Sequence, residues 1–469
     1  MNEFLSLDKL HEECGVIGIY APGVPSISQM LCFGLIALQH RGQESAGIAV
    51  LKGDKMQYYK EMGLVQEVFN SGILERLPAD IGIGHVRYST TGESYVSNAQ
   101  PLVVRYKGGS IALAHNGNLV NAVEIRERLE DEGSIFQTSI DTEVIANLIA
   151  RNYHLGMKEA VIESVKEIKG SFALAIMIDH MLVGVRDPNG LRPLSIAKIE
   201  GGYVLASETC AHDVVGAEFV RDVLPGEIVI ITESGIESIM YDTTARKAIC
   251  AFEYVYFARP DSIIDGKNVF VARKESGKIL ARENPVDADM VIAVPDSGVA
   301  AAIGYAEESG IPYNIGMIKN KYMGRTFIQP DQKSRELAVR LKLNVMKHNV
   351  EGKRLILIDD SIVRGTTSKR IVNMLKAAGA TEVHIRVSSP PVMFPCYFGI
   401  DTPNRAQLVG ATHSLEEIRE MIGADSLAYL SVEGLFKAIG FNKCGMCSAC
   451  FDGDYPMDVP DEADKFMFE

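Results

Sequence analysis

The sequence feature that most constrains the fold is an apolar strand pattern that runs into a polar loop and then into a helix. Residues 354–360 read Arg-Leu-Ile-Leu-Ile-Asp-Asp, and a helical pattern runs from Thr366 to about Gly379. Further apolar runs occupy residues 291–295 and 381–387. Apolar strands that alternate with polar loops and helices are typical of a parallel sheet covered on both faces. The second half of the chain is therefore predicted to be an α/β domain with a parallel sheet.

The first half has a different pattern, in which short apolar runs are bounded by glycine. Helical patterns interrupt these runs after Asn121 and between Thr142 and Asn152. Sheets with helices packed on them fit this arrangement. Because 469 residues exceed one ordinary hydrophobic core, we expect two domains, at residues 14–245 and 246–469.

Composition and charge narrow the classes of function. The formal net charge of -14 argues against a nucleic-acid binder, because such proteins present clustered lysine and arginine. No run of 18 apolar residues is present, so we expect no membrane span, and residues 1–13 do not resemble a secretory signal. We expect a cytoplasmic protein, in which disulfides are rare. The eight cysteines are then catalytic, metal-binding or buried, and Cys32 and Cys210 fit the last class.

Two adjacent acids, Asp359 and Asp360, stand at the end of the central apolar run. The loop after them leads into a helix N-terminus, where exposed N–H groups and the helix dipole favour a phosphate. The acids would repel that phosphate but suit ribose hydroxyls or a hydrated Mg²⁺. The plainer interpretation, that the acids only end a strand and start a turn, leaves their position beside a phosphate site unexplained. The loop also offers hydroxyl donors from Ser361, Thr366, Thr367 and Ser368.

Cys14 begins an apolar strand pattern, and two interpretations are open for it. An isolated cysteine in such a position is most often an ordinary core residue. Alternatively, removal of residues 1–13 would make Cys14 the N-terminal residue. Its α-amine, with a pKa of roughly 8, could then act as the base for its own thiol.

Three further segments point to an amino-acid substrate with an acyl side chain. Arg87 follows a strand pattern and offers a guanidinium that can bind a carboxylate in a two-pronged pair. Asn116 and Gly117 can supply donors to a developing oxyanion. Asp141 fits either a helix N-cap or a carboxylate that faces a substrate ammonium. Together with a thiol, these groups suit glutamine.

These segments, in their order along the chain, resemble the glutaminase domain of the class II amidotransferases. The resemblance implies that Cys14 is the nucleophile and that Asn116 with Gly117 forms the oxyanion hole. It implies that Arg87 and Asp141 bind the α-groups of glutamine. It also implies an α+β, four-layer αββα domain of the N-terminal-nucleophile type and removal of residues 1–13. The matching pieces are Cys14-Gly-Val-Ile-Gly, Gln39-His-Arg-Gly-Gln-Glu-Ser-Ala-Gly, His85-Val-Arg-Tyr-Ser-Thr, His115-Asn-Gly-Asn and Asp141-Thr-Glu.

Residues 355–368 resemble the binding motif of the type I phosphoribosyltransferases. That family implies that the acids bind the ribose of phosphoribosyl pyrophosphate and that the following loop holds its 5′-phosphate. Residues 294–298 match the loop that receives pyrophosphate, and residues 319–328 look like a basic loop that closes over the substrate. The resemblance assigns Mg²⁺ to Ser297, Asp359 and Asp360. It assigns phosphoribosyl pyrophosphate to the same acids and to Lys319, Lys321, Arg325, Ser361, Gly365, Thr366, Thr367 and Ser368.

A glutaminase half followed by a phosphoribosyltransferase half resembles the glutamine phosphoribosylpyrophosphate amidotransferase family, from Cys14 to about Pro456. The resemblance implies transfer of ammonia from glutamine to phosphoribosyl pyrophosphate, as the first step of purine synthesis. It also implies feedback inhibition by purine nucleotides and a homotetramer. The alternatives are another class II amidotransferase, which would lack the acid-pair motif, and a regulator that senses phosphoribosyl pyrophosphate. Acidic net charge and a complete set of glutaminase motifs argue against the regulator.

Four cysteines, Cys250, Cys396, Cys447 and Cys450, have no role in these two sites. Four thiolates can hold either Zn²⁺ or an iron–sulfur cluster, and spacing alone does not choose between them. The resemblance decides, because one branch of the family combines a propeptide with a [4Fe–4S] cluster on cysteines in such contexts. We therefore expect these four to hold a [4Fe–4S] cluster and leave out Cys444, which lies three residues before Cys447.

Overall fold

The computed structural model describes residues 14–88, 94–320, 343–402 and 404–460. The first of its sheets has seven strands, and every neighbouring pair in it is antiparallel. The two strands at its centre are buried along their whole length. In spatial order the strands are Glu218–Asp222, Ser195–Ile199, Gly202–Ala206, Gly15–Tyr20, Ile81–Arg87, Ser45–Lys52 and Lys55–Met62.

A six-stranded antiparallel sheet faces the first one across a layer of apolar side chains. Val16 and Ile83 of the first sheet meet Ala114, Met177 and Val229 of the second in this layer. The strands of the second sheet are, in spatial order, Gly235–Met240, Glu227–Thr232, Met181–Arg186, Gly170–Ile178, Gly109–Leu119 and Leu102–Tyr106.

Helices cover the outer faces of both sheets. Successive side chains of a strand point to opposite faces, so Val16 packs between the sheets while Ile17 and Ile19 pack under helices. Four layers result, which confirms the predicted αββα fold. Helices Ile27–Ala37, Val65–Val68, Ser71–Leu74 and Thr209–Val215 cover the first sheet, and helices Ala122–Asp131, Thr142–Asn152 and Met157–Glu167 cover the second.

The second half contains a four-stranded parallel sheet, as predicted. Ile356 and Ile358 pack on one face with Tyr305, whereas Leu355 and Leu357 pack on the other face. Its order is Met290–Ala293, Arg354–Asp359, Glu382–Val387 and Ser426–Tyr429. Helices Val269–Glu283 and Val299–Ser309 cover the first face, and helices Thr366–Ala377 and Leu415–Ile422 cover the second.

Short elements connect and flank this sheet. Two-residue strands pair as Ile249–Cys250 with Met446–Cys447 and as Ile263–Ile264 with Lys267–Asn268. Met317–Lys319 pairs with Leu343–Val345. No helix in the described ranges is both long enough and apolar enough to cross a membrane. The remaining helical segments are Val96–Asn98, Tyr153–Leu155, Glu253–Phe257, Lys347–Val350, Arg405–Gln407, Val409–Thr412, Val432–Ile439, Lys443–Gly445 and Ala449–Asp452.

Candidate functional site

Cys14 lies at the entry to a central strand of the first sheet, with 8% of its surface exposed. Its Sγ donates a hydrogen bond to the carbonyl of Tyr88 at 3.4 Å, and Arg41 Nε donates to the carbonyl of Cys14 at 3.1 Å. Burial raises the pKa of the Cys14 thiol to about 11, and the Arg87 guanidinium offsets only part of that rise. A thiol with this pKa is protonated at neutral pH, so a nucleophilic role requires a base.

Arg87 ends the strand next to Cys14. That strand is antiparallel to the strand of Gly15, and Val86 lies opposite Gly15, so the register places Arg87 beside the thiol. Only 2% of Arg87 is exposed. Burial lowers the pKa of its guanidinium, whereas the carboxylates of Glu44 and Asp141 act in the opposite direction. A buried positive group therefore lies near both the sulfur and a carboxylate.

Asn116 and Gly117 lie on the long strand of the second sheet, Gly109–Leu119. Asn116 is 1% exposed, and within the described part of the chain neither its Oδ1 nor its Nδ2 has a hydrogen-bond partner. Gly117 has a φ of +147°, and a Cβ there would lie 2.0 Å from the carbonyl oxygen of Ser171, so only glycine fits. A buried amide without a partner is rare and needs an explanation, such as a role in ligand binding or catalysis.

Asp141 precedes the helix Thr142–Asn152 but makes no side-chain capping bond to it. Its Oδ2 instead accepts a hydrogen bond from the N–H of Leu119 at 2.9 Å, and its Oδ1 lies 3.5 Å from His115 Nδ1. Although burial opposes ionisation, His115 and the Leu119 hydrogen bond hold the pKa of Asp141 below its usual value. Asp141 is therefore a buried carboxylate that is charged at neutral pH.

Two buried histidines connect these groups, and the sequence analysis assigned no role to either of them. His85 Nε2 lies 3.0 Å from the carbonyl oxygen of His115, which joins the strand of Arg87 to the strand of Asn116. Burial lowers the pKa of His85 to about 3, so it is neutral at neutral pH. The sequence could have pointed to His85 only through its spacing from Arg87. Residues two positions apart on one strand share a face, so His85 lies on the same face as Arg87.

The acid pair lies at the carboxyl end of a central strand of the parallel sheet. Asp359 is 2% exposed and Asp360 is fully buried. The N–H of Asp360 donates to Asp359 Oδ1 at 2.9 Å, and Ser361 Oγ donates to Asp360 Oδ1 at 2.7 Å. Gly365, with a φ of +80°, then turns the chain into the helix Thr366–Ala377. The loop hydroxyls and the helix N-terminus thus follow directly after the two carboxylates in the chain.

The neighbouring strand brings a second loop to the acid pair. Met290–Ala293 is parallel to the acid-bearing strand, and the N–H of Val294 donates to the carbonyl of Ile358 at 2.9 Å. The loop that contains Ser297 therefore begins beside Asp359. Lys319 Nζ lies 3.6 Å from Asp296 Oδ2, which places one predicted cation at this loop. Lys321 and Arg325 lie outside the described residues.

Arg273 is a buried cation whose charge interacts with that of Asp360, and no sequence motif predicted it. It is 6% exposed, and its Nε and Nη2 donate to the carbonyls of Tyr254 at 2.7 Å and Ala258 at 2.8 Å. Burial lowers the pKa of Arg273 to about 10, and the charge of Asp360 acts against that decrease. No sequence pattern marks it, because Arg273 and Asp360 meet only through packing of separate elements.

The four cysteines come together from three segments. Cys250 lies opposite Cys447 in the two-residue parallel ladder, and the N–H of Met393, close to Cys396, donates to the carbonyl of Cys450 at 2.8 Å. Burial raises the pKa of the Cys450 thiol well above its usual value, and charges on the other three cysteines would raise it further.

Four converging thiols are the donor set that an iron–sulfur cluster uses. Across the described ranges, however, no group of three or more histidine, cysteine or acidic side chains has metal-binding geometry. Cys444 is exposed, whereas Cys32 and Cys210 are buried as expected. The four thiols are therefore the type of ligand that a cluster needs, and the segments that carry them lie side by side. In this structure, however, the side chains do not adopt metal-binding geometry.

Comparisons with known proteins match each half separately. A family model described as a glutamine amidotransferase domain matches residues 85–212. A model described as a phosphoribosyl transferase domain matches residues 266–389. The two matches have the order that the sequence motifs predict.

Curated relatives and solved structures match both halves together. The amidophosphoribosyltransferase of Bacillus subtilis is 53% identical over 455 residues, which is 96% of this chain and 95% of that protein. That of Archaeoglobus fulgidus is 52% identical and covers 96% of this chain and 99% of its own length. The solved glutamine phosphoribosylpyrophosphate amidotransferase of B. subtilis, complexed with ADP and GMP, superposes with a TM-score of 0.91 at 52% identity and covers 96% and 98% of the two chains. The chain belongs to the amidophosphoribosyltransferase family.

Proposed function

We propose that this chain carries out the family reaction, glutamine-dependent amination of phosphoribosyl pyrophosphate, with its glutaminase site at Cys14 and its acceptor site at Asp359 and Asp360. The products are 5-phosphoribosylamine, glutamate and pyrophosphate, and the reaction is the first step of purine synthesis. The observation that carries the proposal is the buried Asn116 amide, which lacks a partner among the described residues. A glutamine carboxamide attacked by Cys14 would give that amide its partner.

Glutamine is held by its α-groups in this proposal. Arg87 binds the α-carboxylate, because a guanidinium can make two parallel bonds to a carboxylate. Asp141 binds the α-ammonium, since it is buried and its pKa lies below its usual value. These two contacts place the side-chain amide of glutamine at the sulfur of Cys14.

The chemical step needs a base, because burial raises the pKa of the Cys14 thiol to about 11. Removal of residues 1–13 would free the α-amine of Cys14, which has a pKa of roughly 8 and can take the thiol proton. The sulfur then forms a bond to the amide carbon, and Asn116 with the Gly117 N–H stabilises the resulting oxyanion. The proton returns to the leaving nitrogen, ammonia departs, and water hydrolyses the glutamyl thioester to glutamate.

The ammonia then attacks the ribose C1 of phosphoribosyl pyrophosphate, and the bond from C1 to pyrophosphate breaks. Ammonia must arrive unprotonated, since ammonium has no lone pair, so a closed path between the sites is expected. The helix N-terminus holds the 5′-phosphate with donors from Ser361, Gly365, Thr366, Thr367 and Ser368. Asp359 and Asp360 hold the ribose hydroxyls, and Lys319, Lys321 and Arg325 offset the charge of pyrophosphate.

Two cofactors belong to this proposal. Ser297, Asp359 and Asp360 would hold Mg²⁺, since carboxylate and hydroxyl oxygens are the ligands that this ion prefers. When bound, Mg²⁺ would neutralise charge on the leaving pyrophosphate. A [4Fe–4S] cluster would be held by the four converging thiols of Cys250, Cys396, Cys447 and Cys450, in a structural or oxygen-sensing role.

Regulation and organisation complete the proposal. The B. subtilis structure contains ADP and GMP, which supports purine nucleotides as feedback inhibitors of this chain. We assign residues 14–245 to the glutaminase domain and residues 246–469 to the phosphoribosyltransferase domain. A cytoplasmic homotetramer is the expected form.

The decisive experiment compares two nitrogen sources in wild type and in Cys14→Ala. Wild type should release pyrophosphate from phosphoribosyl pyrophosphate with either glutamine or ammonia. Cys14→Ala should lose at least about a thousandfold of the glutamine-dependent rate, as expected when a nucleophile is removed, and should keep the ammonia-dependent rate. Absence of release from wild type with both nitrogen sources would contradict the proposal and favour a sensor of phosphoribosyl pyrophosphate.

A further inference from the structure

A turn from the second half of the chain, residues 397–399, reaches the strand of the proposed oxyanion hole. Asn118 Nδ2 donates to the carbonyl of Tyr397 at 3.0 Å. Ser171 Oγ donates to the carbonyl of Phe398 at 2.7 Å. Phe398 is 2% exposed and Ser171 is fully buried, so the second of these bonds forms in a contact without bulk water. A buried carbonyl that lost its donor would leave an unsatisfied polar group, which makes such bonds costly to break.

Arg192 fixes the same turn with a charged donor. Its Nε donates to the carbonyl of Phe398 at 2.9 Å, and its Nη2 also contacts that oxygen. Arg192 is 1% exposed, and its Nη1 lies 3.5 Å from Glu253 Oε1. Hydrogen bonds from a charged donor are roughly twice as strong as neutral ones. The turn is therefore held firmly against the glutaminase half.

Gly399 of this turn packs on Gly117. A Cβ built on Gly399 would lie 3.1 Å from the carbonyl carbon of Gly117 and 3.2 Å from its Cα, closer than ordinary van der Waals contact. A Cβ on Gly117 would in turn lie 2.0 Å from the carbonyl oxygen of Ser171. Gly117 is thus packed against two backbone segments, one from each half of the chain.

We propose that residues 397–399 are a positioning element for glutamine hydrolysis, because they hold the Gly117 N–H where the oxyanion develops. A segment of the phosphoribosyltransferase half thereby sets the rate of the glutaminase half. The proposal rests on the oxyanion role of Gly117 given above. Oxyanion donors act over a narrow range of about 2.7–3.1 Å, so a displacement of a few tenths of an ångström is enough to weaken them.

Gly399→Ala tests the contact directly, since the added methyl group must displace Gly117 or the turn. Loss of a whole oxyanion donor lowers kcat by about 100-fold to 1,000-fold, so we expect displacement to lower kcat for glutamine-dependent pyrophosphate release by at least about tenfold. The KM for glutamine and the ammonia-dependent rate should each stay within about twofold, because neither depends on the oxyanion hole.

Gly310→Ala is the matched control. Gly310 lies in the same half and has a positive φ of +73°, but a Cβ there would meet nothing within 4 Å. The Gly310→Ala substitution introduces similar backbone strain without any contact to Gly117. The glutamine-dependent and ammonia-dependent activities should therefore both resemble those of wild type. A Gly399→Ala enzyme whose glutamine-dependent kcat equals that of Gly310→Ala would overturn the proposal.

Ser171→Ala is a second variant in case Gly399→Ala does not fold. It removes the bond to the Phe398 carbonyl, and with it the bond that the Asn118 N–H donates to Ser171 Oγ at 3.1 Å, without adding an atom. We expect a severalfold decrease in glutamine-dependent kcat with an unchanged ammonia-dependent rate. An unchanged kcat, or a parallel loss of both activities, would contradict the proposal. Failure of the underlying function is distinguishable, because wild type itself would then release no pyrophosphate with glutamine.

Discussion

At the scale of single residues, two buried asparagines close to each other in the chain differ in how their amides are satisfied. Asn98 is 2% exposed, and its Nδ2 donates to Ser139 Oγ at 2.9 Å while its Oδ1 accepts from the N–H of Ser139 at 3.2 Å. Asn116 is 1% exposed, and its amide lacks a partner among the described residues. Burial of an amide without hydrogen bonds costs about 1–3 kcal/mol of folding free energy. Proteins tolerate this cost where the amide is needed to bind a ligand.

Asn116→Leu should therefore separate stability from activity. Leucine shares the branched shape of asparagine but is larger, and at position 116 it removes an unsatisfied polar group, so Asn116→Leu should keep a higher melting temperature than Asn98→Leu. The glutamine-dependent kcat should decrease by about 100-fold to 1,000-fold, because the proposed oxyanion donor is lost. Asn98→Leu is the control, and it should lower the free energy of unfolding by about 1–3 kcal/mol because it breaks bonds that are made. An Asn116→Leu enzyme as destabilised as Asn98→Leu would show that the Asn116 amide has a structural role.

At the scale of elements, the pairing of Ile249–Cys250 with Met446–Cys447 is too short to be stable on its own. Phe252 stacks on Phe451, with ring centroids 5.6 Å apart, and adds apolar contact between the same two segments. Four thiols still lie around this junction, and the burial of Cys450 makes its charged form costly unless a cation is near. A metal cluster would supply that cation and tie the segments together.

Iron content tests this account of the cysteines. Cys447→Ser should lose most of the iron, whereas wild type should contain about four irons per chain and absorb visible light as a [4Fe–4S] protein does. Cys444→Ser is the matched control, because Cys444 is exposed and three residues away, and it should keep its iron. Zinc in place of iron in wild type, or iron loss in Cys444→Ser, would contradict the assignment.

At the scale of the whole molecule, a buried ionic network joins the two halves. Glu208 of the first half is 1% exposed, and its Oε1 accepts from Arg41 Nη1 at 2.6 Å. Its Oε2 accepts from Ser262 Oγ at 2.7 Å and from the N–H of Arg259 at 2.9 Å, both in the second half. Arg41 also bonds to Glu253 and, through Nε, to the carbonyl of Cys14. The position of Cys14 is therefore linked to the packing of both halves.

Glu208→Gln should lower the free energy of unfolding by about 3 kcal/mol. This value is near the lower end of the cost of removing one partner from a buried ion pair, because Arg41 still has its ion pair with Glu253. Although burial opposes ionisation, His40 and Arg41 hold the pKa of Glu208 below its usual value. A carboxylate whose pKa is lower in the folded state stabilises the fold at pH values above its unfolded-state pKa of about 4.3. That stabilisation is lost progressively as the pH falls below about 4.3 toward the folded-state pKa. Wild type should therefore lose stability more steeply than Glu208→Gln as the pH falls from about 5 to about 3.

The control for this network is Glu237→Gln, since Glu237 forms an exposed pair with Lys158. An exposed pair contributes about 0–1 kcal/mol, so its loss should hardly change the unfolding curve at either pH. Denaturant unfolding at both pH values measures the difference. Equal stability of Glu208→Gln and Glu237→Gln would show that the buried network adds nothing to the junction of the halves.

The sequence alone determined the fold class and the family of this protein, because both depend on patterns that are local in the chain. Buried strands read as apolar runs, and the turns after them carry Asp359, Asp360 and Gly365 at fixed offsets. The order of the motifs around Cys14, Arg87 and Asn116 likewise needs no coordinates. Parallel-sheet topology followed from the strand–helix alternation and was confirmed.

Only the tertiary structure decided which distant residues support the two sites. Three interactions join residues 54 to 282 positions apart in the chain: the charge interaction of Arg273 with Asp360, the packing of Gly399 on Gly117 and the hydrogen bond between Ser262 and Glu208. Such contacts depend on register, on the packing of whole elements and on the way that the two halves meet. No local sequence pattern encodes register, packing or the junction of the halves. In the sequence, Gly399 looks like an ordinary turn glycine, and Arg273 and Glu208 look like ordinary surface charges.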